Sequence, residues 1–190
     1  MAYAPIEEHG VIGDLHTVAL VTTDGSIDWY CCPRFDAPSV FGAILDDRRG
    51  GRFRIGPNEP DAIPKQLYLP DTNVLITRFL SPNGVCELVD FMPVSTVDVE
   101  RHWLVRQVRC VRGSMRMRLD LEPRFDYGRA QHQLVMDEHG AIFDSADLTL
   151  ALDAPIPLQG AGGDVWAEFS VTAVSSNSRF ANSGATGREC

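Results

Sequence analysis

The stretch DGSIDWYCCPRFDAPSVFGAIL, residues 24–45, sets Asp28, Trp29, Arg34, Phe35 and Asp36 beside two adjacent cysteines. Carboxylates in such a loop raise the question of acid/base chemistry. Hydrolysis of a glycosidic bond needs two carboxyls facing a cleft, one of them held protonated by its surroundings. Asp28 and Asp36 flank the loop, and Asp90 and Asp126 end strands further on. The chain carries 26 Asp and Glu, so abundance selects none of them. Each has a plainer role open to it, as a turn former or the partner of an arginine.

Other chemistries find less support. No GxSxG is present, and Cys31 and Cys32 have no histidine base nearby in sequence. His9, His16, His102, His132 and His139 form neither HxxxH nor HExxH, so no metal centre is expected. GDLHTVALVTTDGS has glycines but neither GxGxxG nor a Walker pattern, and no cofactor is expected. Of the cysteines, Cys31, Cys32, Cys86, Cys110 and Cys190, none forms CxxC. Neighbours on a strand point to opposite faces, so Cys31 and Cys32 make a poor chelating pair. They read as reduced structural thiols of a cytoplasmic protein.

Aromatic stacking on a sugar is a further chemistry. Trp29, Phe35, Tyr68, Trp103, Tyr127 and Trp166 are candidates, although most large aromatics of a sandwich belong to its core. The tripeptide Arg-Phe-Asp occurs twice, at 34–36 in PRFDAP and at 124–126 in EPRFDYG. Each copy has two readings. One is a packed corner held by a local ion pair. The other is a loop presented to a partner domain or ligand.

The elements that must position these residues follow from a period of two. In SMRMRLDLE, Met115, Met117, Leu119 and Leu121 share one face, with Arg116, Arg118, Asp120 and Glu122 on the other. That is a strand with one wet face. VWAEFSV repeats the alternation with Val165, Ala167, Phe169 and Val171, and LTLAL with Leu148, Leu150 and Leu152. NVLITRF and GVCELVDFM read as more deeply buried strands. Asp24-Gly25 and Asn83-Gly84 are hairpin signals. Arg112-Gly113-Ser114 and His139-Gly140 read as further turns. Reversals about every ten residues point to a sandwich or barrel. APSVFGAILDD breaks the pattern: Pro38, a Ser39 cap and the spacing of Val40, Phe41, Ile44 and Leu45 predict one short helix ending near Arg49-Gly50-Gly51.

Length and charge narrow the function classes. A chain of 190 residues fits one domain, or one domain and a fragment, and buries roughly 70% of its extended surface without a disulfide. A net charge of −9 argues against nucleic-acid binding and against docking on an anionic membrane. No apolar run approaches the roughly 18 residues of a membrane span, and MAYAPIEEHG lacks the pattern of a secretory signal. The last residues, VSSNSRFANSGATGREC, are small and polar without alternation, so 174–190 is expected to be an irregular or disordered tail, out of register with a natural continuation.

GDLHTVALVTTDGSIDWYCCPRFDAPSVFGAIL resembles the N-terminal region of bacterial glycoside hydrolases of family fifteen, the glucoamylase and trehalase-like proteins. YLPDTNVLITRF at 68–79, VCELVDFMP at 85–93 and EPRFDYGRA at 122–130 continue the likeness, from about Ile6 to about Val171. Tyr30, Cys32 and Ala37 depart from the residues more usual there. The resemblance implies an N-terminal β-sandwich of the super-sandwich type, here 1–173, followed by a catalytic (α/α)6 barrel. The barrel carries two glutamates that hydrolyse α-glucosides, including trehalose, with inversion. It also implies that this chain lacks the barrel and is inactive alone. Its expected partners are that barrel and an α-glucoside or trehalose. The residues expected at the interface or ligand are Trp29, Arg34, Phe35, Asp36, Arg124, Asp126 and Tyr127, with loop 34–36 nearest the barrel and Trp29 behind it. A free-standing carbohydrate-binding module, or a truncated product with an exposed apolar docking face, are the alternatives.

Overall fold

A computed structural model describes residues 3–94, 101–173 and 178–186; the one side chain described in the last stretch is that of Phe180. The chain is almost entirely antiparallel β. Its strands are β1 (His9–Gly13), β2 (Val18–Thr22), β3 (Ser26–Cys31), β4 (Ser39–Phe41), β5 (Arg52–Pro57), β6 (Ile63–Tyr68), β7 (Leu75–Leu80), β8 (Gly84–Phe91), β9 (Arg101–Glu122), β10 (His132–Met136), β11 (Gly140–Ser145), β12 (Leu148–Asp153), β13 (Gln159–Ala161), β14 (Asp164–Thr172) and β15 (Ser178–Thr186). A 3-10 turn (Ile6–Glu8) precedes them, and one helical turn, α1 (Phe125–Gly128), interrupts them. Among the described residues no helix is long and apolar enough to cross a membrane.

The long strand β9 organises everything. Its first half pairs with β8 on one side and β15 on the other, and its second half with β5 and β14. One arm of the sheet therefore runs β1-β2-β3-β5 to the second half of β9, and the other takes in β15-β12-β11-β10 and β8-β7-β6 on the two sides of its first half. The arms share a single buried cluster that includes Ile27, Phe53 and Leu119 of one and Leu88, Phe143 and Leu150 of the other.

The alternation read from the sequence sets which residues face this core. Met115, Met117, Leu119 and Leu121 are buried, as are Val165, Ala167, Leu148, Leu150 and Leu152. The Asp24-Gly25 and Asn83-Gly84 turns join β2 to β3 and β7 to β8, and His139-Gly140 leads into β11. At Gly25, with φ +84, a side chain would stand 2.1 Å from the Ile55 carbonyl.

Two expectations are corrected. The helix predicted after the second strand is absent. Ser39–Phe41 is instead strand β4 on β3, with Tyr30 opposite Phe41, followed by turns to Gly50. Phe41 is buried between Tyr30 and Phe53, at ring-centroid distances of 6.1 and 6.4 Å. The Val40 carbonyl accepts the Arg124 N–H at 2.8 Å, and the loop closes through Gly42 N–H to the Gly50 carbonyl at 2.7 Å. These non-local partners outweigh a helical spacing that leaves Leu45 exposed. The turn predicted at Arg112-Gly113-Ser114 is also no reversal, because β9 runs through it. Gly113, at φ +69, lets the strand pass from one arm to the other where a side chain would meet the Asn83 carbonyl at 2.0 Å. Within the expected tail, Ser178–Thr186 is β15, paired with β9 and β12; 174–177 and 187–190 lie outside the described residues.

Candidate functional site

The first Arg-Phe-Asp sits in the loop between β3 and β4. Arg34 donates from Nε to Asp36 Oδ1 at 3.0 Å and from Nη2 to Oδ2 at 3.1 Å. The pair is largely exposed, and each member favours the other's charged form, raising the Arg34 value and lowering that of Asp36. Phe35 points outward at 67% exposure. Its N–H donates to the His16 carbonyl at 3.1 Å, which ties the loop to the turn between β1 and β2.

That turn holds Asp14, a carboxylate not among the four acid/base candidates. Asp14 Oδ1 accepts the N–H groups of His16 and Thr17, each at 2.9 Å, and Oδ2 lies 2.6 Å from Nδ1 of buried His102. Burial would raise the Asp14 carboxyl, but these hydrogen bonds hold it below its ordinary value. The peptide they fix puts Leu15 at φ 77 and 86% exposed. A leucine in the left-handed region, held in water by a buried carboxylate, is a strained position. The signal in the sequence is the Asx-turn spacing of Asp14-Leu15-His16-Thr17; its strand partner His102 is 88 residues away.

The second Arg-Phe-Asp is built differently. Arg124 forks onto Asp164, with Nη2 to Oδ2 at 2.8 Å, and Asp126 accepts from Arg129 Nη2 at 2.6 Å. Arg124 and Asp126 thus hold separate partners, and the repeated tripeptide is no structural repeat. Phe125 is buried, while Asp126 and Tyr127 have φ of 51° and 56°. The Arg129 guanidinium lies 5.6 Å from the Tyr127 ring centroid, and the Trp29 ring 6.5 Å from it. Trp29 therefore joins this corner. Beside it a pocket of about 230 Å³ is lined by Ser39, Asp46, Arg49 and Tyr127 with three glycines and Leu45.

The four carboxylates singled out as acid/base candidates are all engaged: Asp36 with Arg34, Asp126 with Arg129, Asp90 with Arg106 and Asp28 with His9. Burial pushes the Asp28 carboxyl up, as a proton donor would need. However, its Oδ2 is 2.9 Å from His9 Nε2, and its Oδ1 is buried without a hydrogen-bond partner among the described residues. Among the described residues no three His, Cys, Asp or Glu side chains converge as metal ligands.

A family described as trehalase-like, N-terminal matches residues 2–167. A trehalase of Thermoplasma volcanium is 35% identical over 161 residues, covering 83% of this chain and 26% of the relative. A trehalase of Mycolicibacterium smegmatis is 36% identical over 143 residues, covering 67% of this chain and 21% of the relative. Trehalase 1 of Sulfolobus acidocaldarius is 43% identical over 119 residues, 63% of this chain and 19% of the relative. The chain spans about a quarter of the length of the first of these.

Proposed function

Since this chain belongs to the trehalase-like N-terminal family, we propose that it is the non-catalytic β domain of a glycoside hydrolase that cleaves trehalose or a related α-glucoside. The folded sheet acts as a super-sandwich that packs on a catalytic (α/α)6 barrel and helps shape the rim of its active site. The observation that carries this is the match of nearly the whole chain to an N-terminal family, at about a quarter of a trehalase's length. The engaged state of its candidate carboxylates supports it. The corner of Arg34, Phe35 and Asp36, with Leu15 beside it, and the corner of Trp29, Arg124, Asp126 and Tyr127 are the parts read as facing the barrel or its ligand. A cytoplasmic setting goes with buried cysteines held as free thiols.

The test is a fusion in which this chain replaces the matched segment of the Thermoplasma volcanium trehalase. The fusion should hydrolyse trehalose, removal of the segment should abolish soluble activity, and the 190-residue chain alone should show none. Hydrolysis by the chain alone, or an unimpaired enzyme without the segment, would overturn the reading. Arg34→Ala and Asp36→Ala in the fusion should lower kcat/KM; unchanged values would remove that corner from the rim. Calorimetry of the chain with millimolar trehalose or maltooligosaccharide should give no heat, and a binding isotherm would favour a carbohydrate-binding module instead.

A further inference from the structure

The two halves of β9 carry opposite outer faces. In the second half the outward residues are Arg116, Arg118, Asp120 and Glu122. Arg118 pairs with Asp120 and, across to β14, with Glu168, an ordinary wet face. In the first half, His102, Leu104, Arg106 and Val108 point into the core, so the residues between them point out. Those include Trp103, 39% exposed, and Val105.

The pairing carries this outer surface across the arm. Val135 stands opposite Ile142, Ile142 opposite Ala151, Ala151 opposite Ser183, and Ser183 opposite Trp103. The row crosses five strands at one level, next to Phe91 opposite Val105. Val135 is 59% and Ile142 43% exposed. Trp103, Val135, Ile142 and Ala151 line a shallow groove of about 220 Å³. Lone exposed apolar residues are ordinary, but an aligned row with an aromatic at one end is the pattern of an interface.

We infer that this face of β9–β12, centred on Trp103, Ile142 and Val135, is where the domain docks on the catalytic part of its enzyme. The inference rests on the accessory-domain reading above and adds a docking face besides the two corners read there as facing the barrel or its ligand. Its occupant is an apolar patch bordered by basic residues. The relatives supply the length for it, since the matched region is 26% of one and 21% of another. The charge follows from the groove's rim, where Asp137 and Asp153 stand, in a chain of net charge −9. Two copies meeting through this face would bring acidic rims together, whereas a basic border would complement them.

Ile142→Lys and Val135→Lys test this in the fusion with the Thermoplasma volcanium catalytic part, with Arg118→Ala on the wet face as control. In the 190-residue chain both lysines project into water, and the urea midpoint should stay near that of the unaltered chain. In the fusion, scanning calorimetry should show one transition for the unaltered protein and two for each lysine variant. The half-life of trehalose hydrolysis at elevated temperature should shorten roughly tenfold or more, with Arg118→Ala unchanged. A single transition and full half-life in both lysine variants would overturn the assignment. So would uncoupling by Phe35→Ser but not by Ile142→Lys, which would move docking to the corner and leave the accessory-domain reading standing. A dimer of the isolated chain that Ile142→Lys dissociates in sedimentation would give the face to a second copy and overturn it as well. Two transitions in the unaltered fusion would bring down the accessory-domain reading, and this inference with it.

Discussion

Replacing Arg106 should show how the two arms of the sheet are held in one core. Arg106 is fully buried on β9, and so is Asp90 on β8. Its Nε and Nη2 donate to the two Asp90 oxygens at 2.9 and 3.1 Å. The same guanidinium crosses to the other arm, with Nη1 to the Phe53 carbonyl at 2.6 Å and Nη2 to the Gly25 carbonyl at 2.7 Å, and it lies 4.8 Å from the Phe53 ring centroid. Arg106→Met keeps much of the volume but leaves the Asp90 carboxylate buried without its partner. The Gly25 carbonyl keeps the Ile55 N–H at 3.1 Å, so the uncompensated carboxylate dominates. Breaking one side of such a pair costs about 3–5 kcal/mol. For a domain of this size that is a fall in Tm of roughly 6–20 °C. Removing both charges, as Arg106→Met with Asp90→Leu, should recover most of the loss and come within about 2 kcal/mol of the unaltered chain. Urea unfolding of the unaltered chain, the single variants Arg106→Met and Asp90→Leu, and the double variant, with equal m values, gives the coupling directly. A single variant within about 1 kcal/mol of the unaltered chain, or a double variant as unstable as the single, would refute the reasoning.

His9 Nδ1 donates to the Pro5 carbonyl at 3.0 Å, and Nε2 lies 2.9 Å from Asp28 Oδ2. Burial lowers its value, but the Asp28 hydrogen bond and charge outweigh it and the net shift is upward from 6.5. A raised histidine contributes fully below 6.5 and loses that contribution as pH rises through its folded value; urea midpoints should fall over this range, and His9→Gln should flatten the fall. Burial raises the thiols of Cys31 and Cys86 and pushes Cys32 up to about 11, so these three should stay unlabelled by a thiol reagent at pH 8 until urea unfolds the chain; prompt labelling of any of them in the native protein would contradict it. Tyr68 Oη sits on the open edge of β1, accepting the Val11 N–H at 2.7 Å and donating to its carbonyl at 2.9 Å. Tyr68→Phe should cost about 1 kcal/mol and increase aggregation measured by light scattering, because it frees a strand edge for pairing.

The period-two alternation of Met115 to Leu121, of Leu148 to Leu152 and of Val165 to Val171 was legible in the residues themselves, since a strand's two faces are written in its own sequence. So were the Asp24-Gly25 and Asn83-Gly84 reversals, which need only local backbone freedom. The family was legible too, from ordered motifs along most of the chain. Pairing was not. Ser39 to Phe41 became a strand because Tyr30 and Phe53 enclose Phe41, and no count along the chain contains that contact. The two Arg-Phe-Asp corners looked alike until Asp164, 40 residues from Arg124, took the second arginine. Asp14, in the turn after β1, met His102 of β9 only in the fold, and its bonds to the His16 and Thr17 N–H groups turned Leu15 outward. Ile142 and Val135 carry no signal in the sequence, and Trp103 stood there as one aromatic candidate among six; register alone sets them in one row. Local sequence fixes which way a side chain points, because that depends on the backbone period. Which residues it then stands beside depends on strand order and register, and these belong to the folded chain as a whole.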